Sequence, residues 1–119
     1  MRRAALSVFV FGVYLVGLGL ALLLVPNLLL QLFGQPPTSE IWVRLNGMFV
    51  IFLSFYYIMA ARAGMTAFIK WTVVTRMAVI VYFAAFILLL EAPKTLLVFG
   101  LVDLAAATWT WVELRKEAE

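Results

Sequence analysis

The sequence predicts an all-α fold: a polytopic membrane protein built as an antiparallel bundle of four transmembrane helices. Three observations point there. First, of 119 residues 66% are hydrophobic and 13% charged, whereas a soluble domain is about 45–50% apolar and about 25% charged. A water-soluble globule of this size must cover its surface with polar groups that this chain lacks. Second, apolar runs long enough to cross a bilayer recur four times, each closed by Pro, Gly or charge. Third, Lys and Arg gather at alternate ends of those runs. A soluble enzyme, a nucleic-acid binder and a disordered tail are excluded on these grounds.

The first span follows Arg2 and Arg3 and covers residues 4–25, 22 residues without a charge. At about 1.5 Å per residue that is about 33 Å of helix. A signal peptide has an apolar core of only about 7–15 residues and a small-residue cleavage site; this run is longer and ends Val25-Pro26-Asn27, so it reads as uncleaved. Ala5, Gly12 and Gly19, and again Ser7, Tyr14 and Ala21, repeat small or polar residues at heptad spacing, which predicts left-handed packing on two sides. Residues 27–34 are too short to span. They read as a short helix in the outer interface, with continuation of the first helix past a kink as the alternative.

The second span is predicted over residues 41–61, with Thr38 or Ser39 as cap and Glu40 in the first turn. It carries Arg44 on a face with Gly47, Ile51 and Ser54. Arg44 reads as a snorkelling outer anchor paired with Glu40 or Glu91, or as an anion site at the outer mouth. The third span, residues 68–90, carries Arg76, and the fourth, residues 95–112, carries Asp103. Gly34 to Ser39, Arg62-Ala63-Gly64 and Glu91 to Lys94 supply the breaks. The chain reads as one transmembrane domain without internal repeats.

Orientation follows from the basic residues. With the N-terminus inside, Arg2, Arg3, Arg62, Lys70, Arg115 and Lys116 lie on the inner face, against Lys94 and Arg44 outside, six to two. That is a positive-inside bias. Tyr56, Tyr57, Trp71, Trp109 and Trp111 would form an inner aromatic belt, with Trp42 at the outer edge. Both termini are therefore expected on the cytoplasmic side of a bacterial inner membrane.

Arg76 and Asp103 fall at one depth when counted from the inner ends of their spans. Each costs roughly 2.5–3.5 kcal/mol at a helix centre, which predicts an Arg76–Asp103 pair between adjacent helices. The pair is either structural, fixing register, or functional, lining a cavity. Thr72, Thr75 and Tyr82 share the Arg76 face at 100° per residue; Gly100, Ala106, Ala107 and Thr110 share that of Asp103. The candidate ligand or polar seam is thus Arg44, Thr72, Arg76, Tyr82 and Asp103.

The chain has no Cys and no His. Disulfides, thiol redox chemistry, Cys/His metal sites and Ser-His or Cys-His nucleophile pairs have no residues to be made from. No catalytic, metal or cofactor residue is assigned. The +3 charge is read as a topology signal, not as an acidic or nucleic-acid partner.

The run Pro26 to Pro37, then Trp42-Val43-Arg44-Leu45-Asn46-Gly47, Tyr56 to Arg62, Trp71 to Arg76 and Phe99 to Leu104, resembles a group of small uncharacterised bacterial four-helix integral membrane proteins. By fold analogy the architecture is also similar to DoxX-like and EXPERA-type proteins. The resemblance implies four spans and no particular activity. Small multidrug exporters share length and span count, but their first helix carries an embedded glutamate and residues 4–25 hold no acid.

Three functional readings result. The first is a non-catalytic module, either an accessory subunit or a binder of a lipid or small apolar ligand. The second is a small dimeric transporter or channel using Arg76 and Asp103 at the midplane. The third, an enzyme acting on a lipid, would need Asp103 as acid or base beside Arg76, and is the weakest. Membrane lipid is the expected partner, with a homodimer or a larger membrane complex as the assemblies left open.

Overall fold

The computed structural model describes residues 1–118. They form five helices and no strand: α1 (Arg3–Leu24), α2 (Pro26–Leu32), α3 (Ile41–Arg62), α4 (Thr66–Leu90) and α5 (Leu96–Ala118). Four of them, α1, α3, α4 and α5, are long and apolar enough to cross a membrane. The protein is an all-α, polytopic membrane protein with one short extra helix after the first span. Side chains such as Leu88, Leu89 and Val74 lie largely exposed, as lipid-facing residues do when the solvent is hydrocarbon.

The breaks have local causes. Val25 leaves helical geometry (φ −135°, ψ 57°), and Pro26, which has no N–H to donate, opens α2. A separate helix therefore replaces a kinked continuation of α1. α2 ends in a Schellman motif: Gln35 N–H donates to Leu30 O at 2.8 Å and Gly34 N–H to Gln31 O at 3.0 Å, with Gly34 left-handed at φ 71°. The same motif closes α3, where Met65 N–H reaches Ala60 O and Gly64 N–H reaches Ala61 O. Both positions need φ > 0, which glycine adopts without a Cβ penalty. Thr38 does not cap a helical N–H. Its Oγ1 accepts from Glu40 N–H at 3.2 Å, outside α3, while its own N–H donates to Asn27 Oδ1 at 2.8 Å.

The expected bounds need two corrections. α4 starts two residues before position 68, directly after the turn at Gly64. α5 runs on to Ala118, six residues past the predicted end at 112. Glu113, Leu114, Arg115, Lys116, Glu117 and Ala118 are all good helix formers, and the acids among them have partners described below. An apolar run marks where lipid ends, and a helix can continue beyond it.

The chain divides into two compact units, Phe9–Met59 and Met1–Val8 with Ala60–Glu119. In the first, α1 and α3 cross at backbone contact. A Cβ added to Gly47 would meet Leu23 N at 2.7 Å and Gly19 O at 2.8 Å; one on Gly12 would meet Ile58 Cγ1 at 2.8 Å. The helices can approach this far only because these positions carry no side chain. Gly12 and Gly19 both lie at this contact with α3. Tyr57 is buried and its ring lies 5.7 Å from that of Phe11, so it belongs to this core and not to an interfacial belt.

In the other unit α4 and α5 are antiparallel neighbours. Arg76 meets Thr110, and Gly100 faces Ile80 and Phe83, so residue numbers rise on one helix as they fall on the other. The first turns of α1 join them, with Ala4, Ala5, Ser7 and Val8 all buried.

Candidate functional site

Arg76 is the centre of a buried polar cluster and is itself only 1% exposed. Its Nε–H donates to Thr72 O at 3.2 Å and its Nη2 to Thr72 Oγ1 at 3.0 Å. The same Nη2 donates to Thr110 Oγ1 on α5 at 2.9 Å. Thr110 and Ser7 of α1 share a hydroxyl–hydroxyl bond of 2.6 Å. Ser7 also lies 2.6 Å from Ala4 O, Thr110 3.1 Å from Ala106 O and Thr72 2.7 Å from Ile69 O. A guanidinium with three hydroxyls ties α1, α4 and α5 together. Buried polar groups are costly to leave without partners, and these bonds supply them.

The predicted direct Arg76–Asp103 ion pair is corrected here. Among the described residues the ion-paired carboxylate is Glu113, held by Arg3 at 3.3 Å and Lys116 at 3.8 Å. The reason lies in side-chain direction. Every Cα–Cβ bond in a helix tilts toward the helix N-terminus. On antiparallel helices Arg76 and Asp103 therefore lean toward opposite ends, although their Cα atoms start near one depth. Arg76 leans back over Thr72 and reaches Thr110, two turns along α5 from Asp103.

A second cluster closes the end of this unit. Ala4 N–H, in the first turn of α1, donates to Glu117 Oε1 at 3.1 Å. The first N–H groups of a helix have no partner within it, and here a carboxylate from another helix supplies one, next to the positive end of the α1 dipole. Glu113 is buried at 5% exposure one turn earlier on α5, with Arg3 above it. Arg115 stacks on Trp111, its Cζ 5.0 Å from the ring centroid.

Tyr82 is 63% exposed and lies against Phe86, with ring centroids 6.4 Å apart. Asp103 is half-buried midway along α5. Arg44 belongs to the Phe9–Met59 unit, where its Nη1 donates to Leu23 O. Leu23 O lies one turn before the break at Pro26, so Arg44 closes the end of α1. Thr72 and Arg76 are the two seam residues that the structure joins.

Sequence reasoning missed Ser7, Glu113 and Glu117 as polar partners, and gave Thr110 only a packing role. The signal was present. Gly100, Asp103, Ala107, Thr110, Leu114 and Glu117 follow one another at intervals of three or four, a single helical face that continues past the apolar run.

Beside the second cluster lies a half-open cavity of about 360 Å³. Arg2, Arg62 and Glu117 stand on its wall, with Ala4, Ala61 and Ile69 forming apolar lining. No group of three or more His, Cys, Asp or Glu suited to a metal ion occurs among the described residues. No family model matches the sequence, and no curated protein or solved structure matches it either.

Proposed function

We propose that this chain is a non-catalytic module of a bacterial cytoplasmic membrane, a lipid binder with both termini in the cytoplasm. The observation that carries this reading is the state of Arg76. A residue that handles a substrate must present its charge to a cavity and exchange partners. Arg76 instead gives its Nε and Nη2 donors to Thr72 and Thr110, fully buried, and this supports a role in holding α4 and α5 in register. The six basic residues at one end support the orientation. The resemblance to small bacterial four-helix proteins fits the same reading and adds no activity to it.

The transporter reading draws on one observation, the half-buried Asp103 in mid-span, since intramembrane carboxylates mark ion paths in many carriers. One experiment separates the two. The purified chain is reconstituted into sealed vesicles, and proton and sodium flux are recorded alongside native mass spectrometry of the detergent-released protein. The module reading expects retained lipid and no flux above empty vesicles. Flux abolished by Asp103→Asn would overturn it in favour of the carrier.

A further inference from the structure

The geometry points to a binding site for a phosphate-bearing lipid headgroup in the cavity walled by Arg2 and Arg62. This rests on the lipid-binding reading above and names its ligand. The cavity is the right size, since small-ligand sites begin at about 300 Å³. At about 360 Å³ it admits a headgroup, and the acyl chains stay in the bilayer.

Its lining has two chemistries. Ala4, Ala61 and Ile69, each nearly fully buried, make it apolar, as the boundary with acyl chains requires. Arg2 and Arg62 are exposed and bring two guanidiniums. Their charges are not consumed by the protein: among the described residues the ion pairs are made by Arg3 and Lys116, both to Glu113. Guanidinium matches phosphate with paired N–H donors. The site lies where α1 begins, α3 ends and α5 ends, at the basic end of the chain, which is where lipid phosphates stand in a bilayer.

Glu117 adds a requirement. A carboxylate on the wall repels a bare anion, so the occupant must bring a donor beside its phosphate. A hydroxyl or an ammonium on the headgroup would serve. Phosphatidylglycerol meets this requirement. Phosphatidylcholine, with a phosphate but no N–H or O–H, does not.

The test is titration of the purified full chain in detergent with phosphatidylglycerol, followed by native mass spectrometry. One basic side chain at an anionic membrane surface is worth about fivefold in affinity. Arg2→Gln and Arg62→Gln should each weaken binding by about that factor, and the double variant by about 25-fold. Arg115→Gln removes an equal charge at the same end but outside the cavity, and should leave binding unchanged. Phosphatidylcholine should bind more weakly than phosphatidylglycerol, and excess inorganic phosphate should not displace the lipid. Equal losses in Arg115→Gln and Arg62→Gln would reduce the effect to general surface charge and overturn the site. Displacement by inorganic phosphate would move the cavity to soluble anions and overturn the lipid assignment. If the double variant keeps its bound lipid undiminished, the site is wrong while the module reading stands; ion flux in vesicles removes the module reading instead. Arg2 and Arg62 are exposed, so neither variant endangers folding.

Discussion

Thr110→Val removes one oxygen from the centre of the buried cluster and keeps the shape of the side chain. Two contacts between helices go with it. The first is the charge-assisted bond from Arg76 Nη2 at 2.9 Å, and bonds to charged groups are worth about 1.5–3 kcal/mol net. The second is the Ser7 hydroxyl at 2.6 Å; interhelical bonds in membranes average about 0.6 kcal/mol. The bond to Ala106 O is local, within one helix, and adds little. The expected loss is therefore about 2–3.5 kcal/mol. Ser7→Ala alone should cost about 0.6 kcal/mol. The double variant should then fall short of the sum by about that amount, because both changes delete the same Ser7–Thr110 bond. Thr110→Ser keeps the oxygen and should recover most of the stability. The assay is reversible unfolding in mixed micelles, followed by the fluorescence of the four tryptophans. A Thr110→Val variant within about 0.5 kcal/mol of the parent, or strict additivity with Ser7→Ala, would refute the reasoning.

Arg76→Gln should destabilise by about 2–3 kcal/mol, since it removes the charge-assisted bonds to Thr72 and Thr110, whereas Asp103→Asn should stay within about 0.5 kcal/mol; equal losses in the same unfolding assay would reinstate the direct ion pair. Gly47→Ala places a methyl group 2.7–2.9 Å from the backbone and side chain of α1, neither of which can swing aside, so a loss of about 1–3 kcal/mol is expected. A neutral result would show the α1–α3 crossing to be looser than described. Glu117→Ala should cost about 1 kcal/mol, the worth of a lost helix cap, and Glu117→Gln much less, because an amide oxygen can still accept from Ala4 N–H. Hydrogen exchange at the start of α1 would report both.

The sequence by itself determined the number of long apolar helices. Hydropathy is a sum over residues, and a run such as 4–25 must cross lipid wherever its neighbours lie. It also determined the turns, because Pro26, Gly34 and Gly64 act through backbone geometry alone, and the Gly12–Gly19 packing face, because periodicity is a local property. Only the tertiary structure decided what the polar residues do. Arg76 and Asp103 were matched by depth along the helix axis, yet partners are chosen by where side chains lean, and on antiparallel helices these two lean apart. Thr110 and Ser7 are ordinary hydroxyls in the sequence; Thr110 becomes a partner of Arg76, and Ser7 of Thr110, only through the approach of α1, α4 and α5. Glu113 and Glu117 lie past the apolar run of the fourth span, and they gain Arg3 and Ala4 N–H as partners only where the start of α1 comes to rest against them. Helices follow from neighbours in sequence; ion pairs and hydrogen-bond clusters follow from neighbours in space.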